Sequence, residues 1–254
     1  MTERPKSVWA ASARGEMLER WVIVRLVAIR TVIEHGPKDK KVVAFAPDWP
    51  GWSRGAKTAE DALAALELYR ARYRPIAAKV RLAKEFDAQG AFKVVEEKVG
   101  TGSTDFWGIS FSPCRLETEP MEDADFARRV RLLRSCWSYF DAVAARVSTT
   151  MAKGPRGGGR ERDDIIGHTI RVERGDFAKK VGLQVPPGWD WNPSEVAAYR
   201  DDYVAAMVAY RKGEVKPMRS WNLPFLIRHS AFHTLDHAWE MEDKDLSGTN
   251  AAPR

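Results

Sequence analysis

Three of the chain's five histidines fall within the stretch HSAFHTLDHAW, at His229, His233 and His237. On an ideal helix, residues four apart project within about 40° of each other and rise by about 6 Å, so two such imidazoles can share one metal ion. Residues eight apart rise by about 12 Å, too far for two donors that each stand ~2.1 Å from the same ion. One straight helix therefore offers His229 with His233, or His233 with His237, and either pair needs a third ligand from elsewhere. His168 is the natural candidate, because it sits between Ile165 and Val172 on a face expected to point inward. His35 falls in a turn and is expected to be exposed. The competing reading of the three helical histidines is polar decoration on a solvated face.

These residues must be positioned by helices, and the second half of the chain is patterned for four of them. From Asp125 to Val147 the apolar positions Phe126, Val130, Leu133, Trp137, Phe140, Ala144 and Val147 alternate steps of four and three. A second helix is expected from about Asp163 to Lys179, carrying Ile165, His168 and Val172 on one face. A turn with Pro186, Pro187 and Gly188 precedes a third, on which Val196, Tyr199, Tyr203, Met207 and Tyr210 line up. The fourth, roughly Pro224 to Glu242, carries the histidines. Four amphipathic helices joined by loops predict a four-helix bundle.

The first half reads differently. VIVRLVAIRTVI and KVVAFAP flank the turn signal HGPKDK and predict a β-hairpin. Thr58 can then cap a helix, AEDALAALELYRARY, with Glu60 and Asp61 in its first turn and Ala62, Leu66 and Tyr69 on one face. FKVVEEKV and FWGISF, separated by GTGSTD, suggest a second hairpin within residues 92–111. The expected class is α+β: a small domain over residues 1–115, a bundle over 122–246 and a flexible tail over 247–254.

Two stretches resemble known families. APDWPGWSRGAKTAEDALAALELYRARY resembles HicB-like, antitoxin-type small α/β domains, through Pro47, Asp48, Pro50, Gly51, Gly55, Thr58 and Ala62. Trp52 stands where that family usually has a small residue. GGGRERDDIIGHTIRVERGDFAKKVG and RHSAFHTLDHAWEMEDKD look like the second and fourth helices of the DinB-like superfamily of metal-binding four-helix bundles, which includes thiol-dependent transferases. That resemblance implies a ligand set of His168, His233 and His237, with His229 left as a surface or supporting residue. It further implies a small-molecule substrate, with a low-molecular-weight thiol as one such molecule.

Three neutral imidazoles leave a coordination position for water or substrate, as in catalytic zinc sites. Zinc is the expected divalent metal, and nickel or iron would accept the same nitrogen set. Such an ion can lower the pKa of bound water or thiol, or polarise a carbonyl. Asp164, Asp236 and Glu240 are close enough in sequence to orient the ligands, against the ordinary reading of surface ion pairs. The expectation is thus a metal-dependent transferase or hydrolase. Its rival is a non-catalytic regulatory protein whose small domain binds protein or nucleic acid while the metal stiffens the fold.

Other chemistry finds less support. HTLDH lacks the general-base glutamate of HExxH proteases, and there is no GxSxG elbow. GPRGGGR matches neither a Walker loop nor a dinucleotide fingerprint, although Arg156 and Arg160 could help hold an anion where the next helix begins. The competing reading is a flexible connector. The net charge of +6 comes from basic residues interspersed with acids, which weighs against a nucleic-acid groove.

The opening MTERPKSVWAASARGEMLERW sustains no apolar run of the length a signal peptide or membrane span requires. With Cys114 and Cys136 in no ligand spacing, a cytoplasmic location is expected. Cys136 is expected to be packed beside Trp137, Cys114 to lie nearer the surface, and a homodimer is left open.

Overall fold

The computed structural model describes residues 27–154, 158–185, 192–217, 219 and 221–248. It is a mixed α+β molecule, with a four-stranded sheet in the first half and helices dominating the second. Strands β1 (Val27–His35) and β2 (Val42–Phe45) form the expected antiparallel pair, with Val32 opposite Phe45. The Asp105 carboxylate closes the turn between them by accepting from the backbone N–H groups of Lys38 (2.8 Å) and Lys40 (2.9 Å). Strand β3 (Ser53–Ala56) continues the sheet antiparallel to β2.

Helix α1 (Ala59–Leu68) starts where Thr58 accepts from the Asp61 N–H, as its sequence predicts. The helical run then breaks at Tyr69 (φ −88°, ψ 0°) and resumes as α2 (Arg70–Lys79), followed by α3 (Ala83–Asp87).

The second hairpin is not found. FKVVEEKV lies in β4 (Gln89–Val99), which pairs parallel to β1 and gives the order β3-β2-β1-β4. FWGISF does not return as a strand. A capping box at Thr101 starts the short helix α4 (Gly102–Trp107), and Gly108, left-handed at φ 72°, ends it. FWGISF has the aromatic and β-branched residues of a strand, but the Thr101 cap and Gly108 commit its first residues to a helix.

After α5 (Arg115–Thr118) come the helices of the second half: α6 (Asp123–Arg146), α7 (Arg162–Val172), α8 (Pro193–Arg211) and α9 (Leu223–Asp243). Each overlaps an expected helix. Below Val172 the second does not stay α-helical: a π-helical turn over Glu173–Phe177 and a 3-10 turn over Ala178–Val181 complete it. Val130, Leu133, Trp137, Phe140 and Val147 of the α6 stripe are buried. The turn at Pro186, Pro187 and Gly188, the tail beyond residue 248, and Val22 to Leu26 of the first predicted strand lie outside the described residues.

Sheet and helices share one hydrophobic core, which joins Ile33, Trp52 and Tyr73 of the first half to Leu133, Tyr203 and Leu235 of the second. Polar contacts cross the same boundary. Arg54 pairs with Asp236 at 2.7 Å, and Arg72 with Glu242 and Asp243, each at 2.8 Å. Arg129 donates to the Pro47 carbonyl at 2.9 Å, and Ser135 to that of Ile76 at 2.8 Å. Cys114 is buried, not near the surface, within a second cluster with Val32 and Phe45 under α5. Among the described residues no helix is long and apolar enough to cross a membrane.

Candidate metal centre

Helix α9 is held firmly enough to fix the direction of its side chains. Asn222 caps it by accepting from Phe225 N–H, and Pro224 occupies its first turn, where a missing N–H costs nothing. From Leu223 to Phe232 every residue is buried. Such all-round burial requires packing on several sides. One side is covered by α6 and another by the turn before β3. In that turn Gly51 has φ +95°, and a Cβ there would stand 3.1 Å from the Ala231 carbonyl oxygen and 2.8 Å from Leu235 Cδ1. Only glycine accepts both the conformation and the approach.

Helix α7 supplies the third imidazole. Glu161 caps it, the Asp164 carboxylate returns to the Glu161 N–H, and Ile165, Ile166 and Ile170 anchor it in the core. His168 projects from this helix toward α9. Its ring centre lies 5.4 Å from that of His233 and 4.9 Å from that of His237, while His233 and His237 are 4.7 Å apart.

One nitrogen from each of the three rings falls within 4.8 Å of the others, so the cluster could hold a metal ion. Nitrogens bound tetrahedrally at ~2.1 Å stand about 3.4 Å apart. The span found is wider, by an amount that rotation of the rings about their side-chain bonds can draw in.

The electrostatics suit a cation held by neutral imidazoles. His168 is pushed down to about 4, first by burial, then by the charges of His237, Arg160 and Arg171. His233 is pushed well below its usual range, again mainly by burial. Both rings therefore offer lone pairs near neutral pH without first losing a proton.

Glu240 accepts from His237 Nδ1 at 2.7 Å, and this bond is the chief reason its carboxyl drops to about 2. Lys244 holds the other Glu240 oxygen at 2.6 Å. An ionised Glu240 requires the proton on His237 Nδ1, which leaves Nε2 as the donor to an ion.

The other residues singled out from the sequence lie elsewhere. Asp236 pairs with Arg54 across the boundary between the two halves, and Asp164 caps its own helix. His229 is buried among Phe111, Phe177, Trp221 and Phe225, and its Nδ1 donates to the Ser110 carbonyl at 3.1 Å. Burial pushes it to about 3. Its role is that of a core residue tying α9 to the loop after α4. His35 is partly exposed at the end of β1, near Asp39 and Glu97. The positive charge of Arg160 is felt at His168 and His233, whereas Arg156 lies outside the described residues.

Two neighbours of the site were not foreseen. Phe177, in the 3-10 and π-helical extension of α7, places its ring 5.2 Å from His229 and 5.5 Å from His233, so it separates the core histidine from the cluster. Arg171 folds back along α7: a Cβ on Gly167 would come within 2.8 Å of its Nη1. The four-residue step from Gly167 to Arg171 was the available signal for this contact. Comparison of the chain with protein families, with curated proteins and with solved structures finds no match.

Proposed function

We propose that this chain is a divalent-metal-dependent transferase or hydrolase of the DinB-like kind, with His168, His233 and His237 as the ligands. The observation that carries this reading is the convergence of three imidazoles from two helices, with donor atoms within 4.8 Å of one another. A bound zinc, nickel or iron ion would supply a coordinated water or thiol of lowered pKa. The protein's own contribution is to keep His168 and His233 neutral by burial, to fix the His237 tautomer through Glu240, and to close one side of the site with Phe177. The partial exposure of His168 and His233 leaves the other side for a small molecule.

Thiol transfer would need sulfur from outside the chain. Burial raises the Cys114 thiol to about 12 and the Cys136 thiol higher still, so neither is a thiolate near neutral pH. This supports a low-molecular-weight thiol as the nucleophile. The first half, which carries the HicB-like turn, acts in this reading as the clamp that seats α9 through Gly51.

The test is elemental analysis of the purified chain beside His233→Ala. Near-stoichiometric metal in the wild type and its loss in the variant are expected, followed by consumption of a small electrophile by a thiol. No metal in either protein, even after added zinc or nickel, would overturn the ligand assignment. A cobalt-loaded protein whose spectrum ignores both thiols and electrophiles would return the non-catalytic reading.

A further inference from the structure

We propose that the cavity between β3, the end of α4 and α9 binds a small organic anion with a planar ring, the ring against Trp107 and the anionic group on Lys41 and Lys57. This goes beyond the metal-site reading and stands without it.

The argument begins with the walls. The cavity measures about 340 Å³ and is lined by residues from both halves of the chain. That volume falls within the ~300–1,000 Å³ of small-molecule sites. A backbone contact sets one edge: a Cβ on Gly55 would stand 2.5 Å from the Gly108 carbonyl oxygen, so β3 and the chain leaving α4 meet as closely as glycine allows. One wall is cationic. Lys41, Arg54 and Lys57 line it, and Asp236 is the one carboxylate among them. Arg54 is already engaged, since it pairs with Asp236 at 2.7 Å and its guanidinium carbon lies 3.5 Å from the centre of the Tyr69 ring. The two lysines remain. Lys41 Nζ donates to the Phe106 carbonyl at 2.8 Å, which leaves two of its three N–H groups, and neither lysine meets a carboxylate among the described residues. Two uncompensated cations at one concave place attract an anion.

The second observation is the aromatic wall. Trp107 and Phe232 line the same cavity. Trp107 is 62 % exposed, although so large an apolar ring is ordinarily well buried. Phe106 packs against it edge-on, with ring centres 4.4 Å apart and planes at 77°, and steadies the indole in the open. A flat ring laid on the free indole surface removes it from water and gains the offset contact that aromatic pairs favour. A neutral ring would leave the lysines unmet, and a small inorganic anion would leave the indole uncovered. A molecule that carries both features answers both walls.

The experiment is calorimetric titration of the full chain with naphthoate and with phenyl phosphate, which carry both features. Naphthamide supplies the ring without the charge, and acetate the charge without the ring. Lys57→Gln and Trp107→Ala remove exposed side chains, so both variants should fold. Lys84→Gln removes an exposed charge on α3, outside the cavity, and His233→Ala removes a proposed metal ligand. The expected result is that the wild type binds at least one of the two aromatic anions, with naphthamide and acetate about tenfold weaker or worse. Lys57→Gln should weaken that binding about tenfold and Trp107→Ala about fivefold, while Lys84→Gln and His233→Ala match the wild type. The tighter of naphthoate and phenyl phosphate names the anionic group. Unchanged affinity in Lys57→Gln or in Trp107→Ala, equal affinity for naphthoate and naphthamide, or no binding of either aromatic anion overturns the proposal. Loss of binding in His233→Ala also overturns it, because the anion would then sit on the ion. A chain that holds no metal but binds these anions as expected overturns the metal reading and leaves this proposal standing.

Discussion

His237 and Glu240 are joined by a 2.7 Å hydrogen bond from Nδ1 to a carboxylate oxygen, three residues apart on α9. The contact fixes which nitrogen of His237 faces His168 and His233. Removing the carboxylate by Glu240→Ala should weaken metal binding about 10–100-fold, the range found when such supporting carboxylates are lost. Competition with a chelator of known affinity measures this. An unchanged affinity would show that the His237 tautomer does not depend on Glu240.

His229 and His233 are separated by one turn of α9 yet should respond oppositely to mutation. His229→Ala opens a cavity among aromatic rings and leaves the Ser110 carbonyl without its donor. It should cost about 2–4 kcal/mol in stability by urea denaturation, with metal content unchanged. Loss of metal from His229→Ala at full folding would mean that the ion uses the other pair.

The buried histidines make the metal-free protein sensitive to acid. His168 and His229 have folded values near 4 and 3, below the ordinary imidazole value. The unfolded chain therefore binds protons first, and stability present above about pH 6.5 is lost as the pH falls toward these folded values. Urea midpoints of the metal-free protein at pH 7.5 and 5 should show this loss. His229→Phe should reduce it.

Glu173 acts in the opposite sense. Burial raises its carboxyl to about 7, against the pull of Arg200 and the 2.6 Å bond from Trp137 Nε1. A raised acid stays protonated in the fold while the unfolded chain ionises, so its contribution is full at low pH and lost as the pH rises from about 4.5 to 7. Glu173→Gln keeps the shape without the charge. Its stability relative to the wild type should therefore increase over that interval, and a constant difference would sink the assignment.

Gly51 tests the junction between the two halves. Gly51→Ala should cost about 1–3 kcal/mol from its left-handed backbone alone, and more where the new methyl meets the Ala231 backbone. Thermal unfolding measures the cost. Metal affinity should also fall, because that turn seats the helix that carries two of the ligands.

The parts legible in the sequence were those written in local periodicity. The alternating steps of α6, the Thr58 cap and the tyrosine stripe of α8 each specify a nearby hydrogen-bond pattern and a buried face. Pairing of β4 with β1 was not legible, because Thr31 meets Val94 across a long intervening stretch and nothing local to either strand names its partner. The π-helical turn after Val172 was equally hidden. It turns Glu173 inward to Trp137, a choice made by packing against α6 rather than by the sequence of α7. Among the histidines, spacing left two pairs open. The apolar run from Leu223 to Leu226, with Phe232 beyond, was the clue that His229 faces the core.

The shared core has a consequence for how ligand binding is felt across the molecule. With Trp52 and Tyr73 packed in the same cluster as Leu133 and Leu235, opening the sheet exposes the helices as well. An ion held by α7 and α9 would therefore slow amide exchange in β2, where it touches nothing. At a hundredfold excess over its dissociation constant it would add about 2.7 kcal/mol to the global opening free energy. Strands such as Val42–Phe45 become reporters of occupancy at a site to which they contribute no atom.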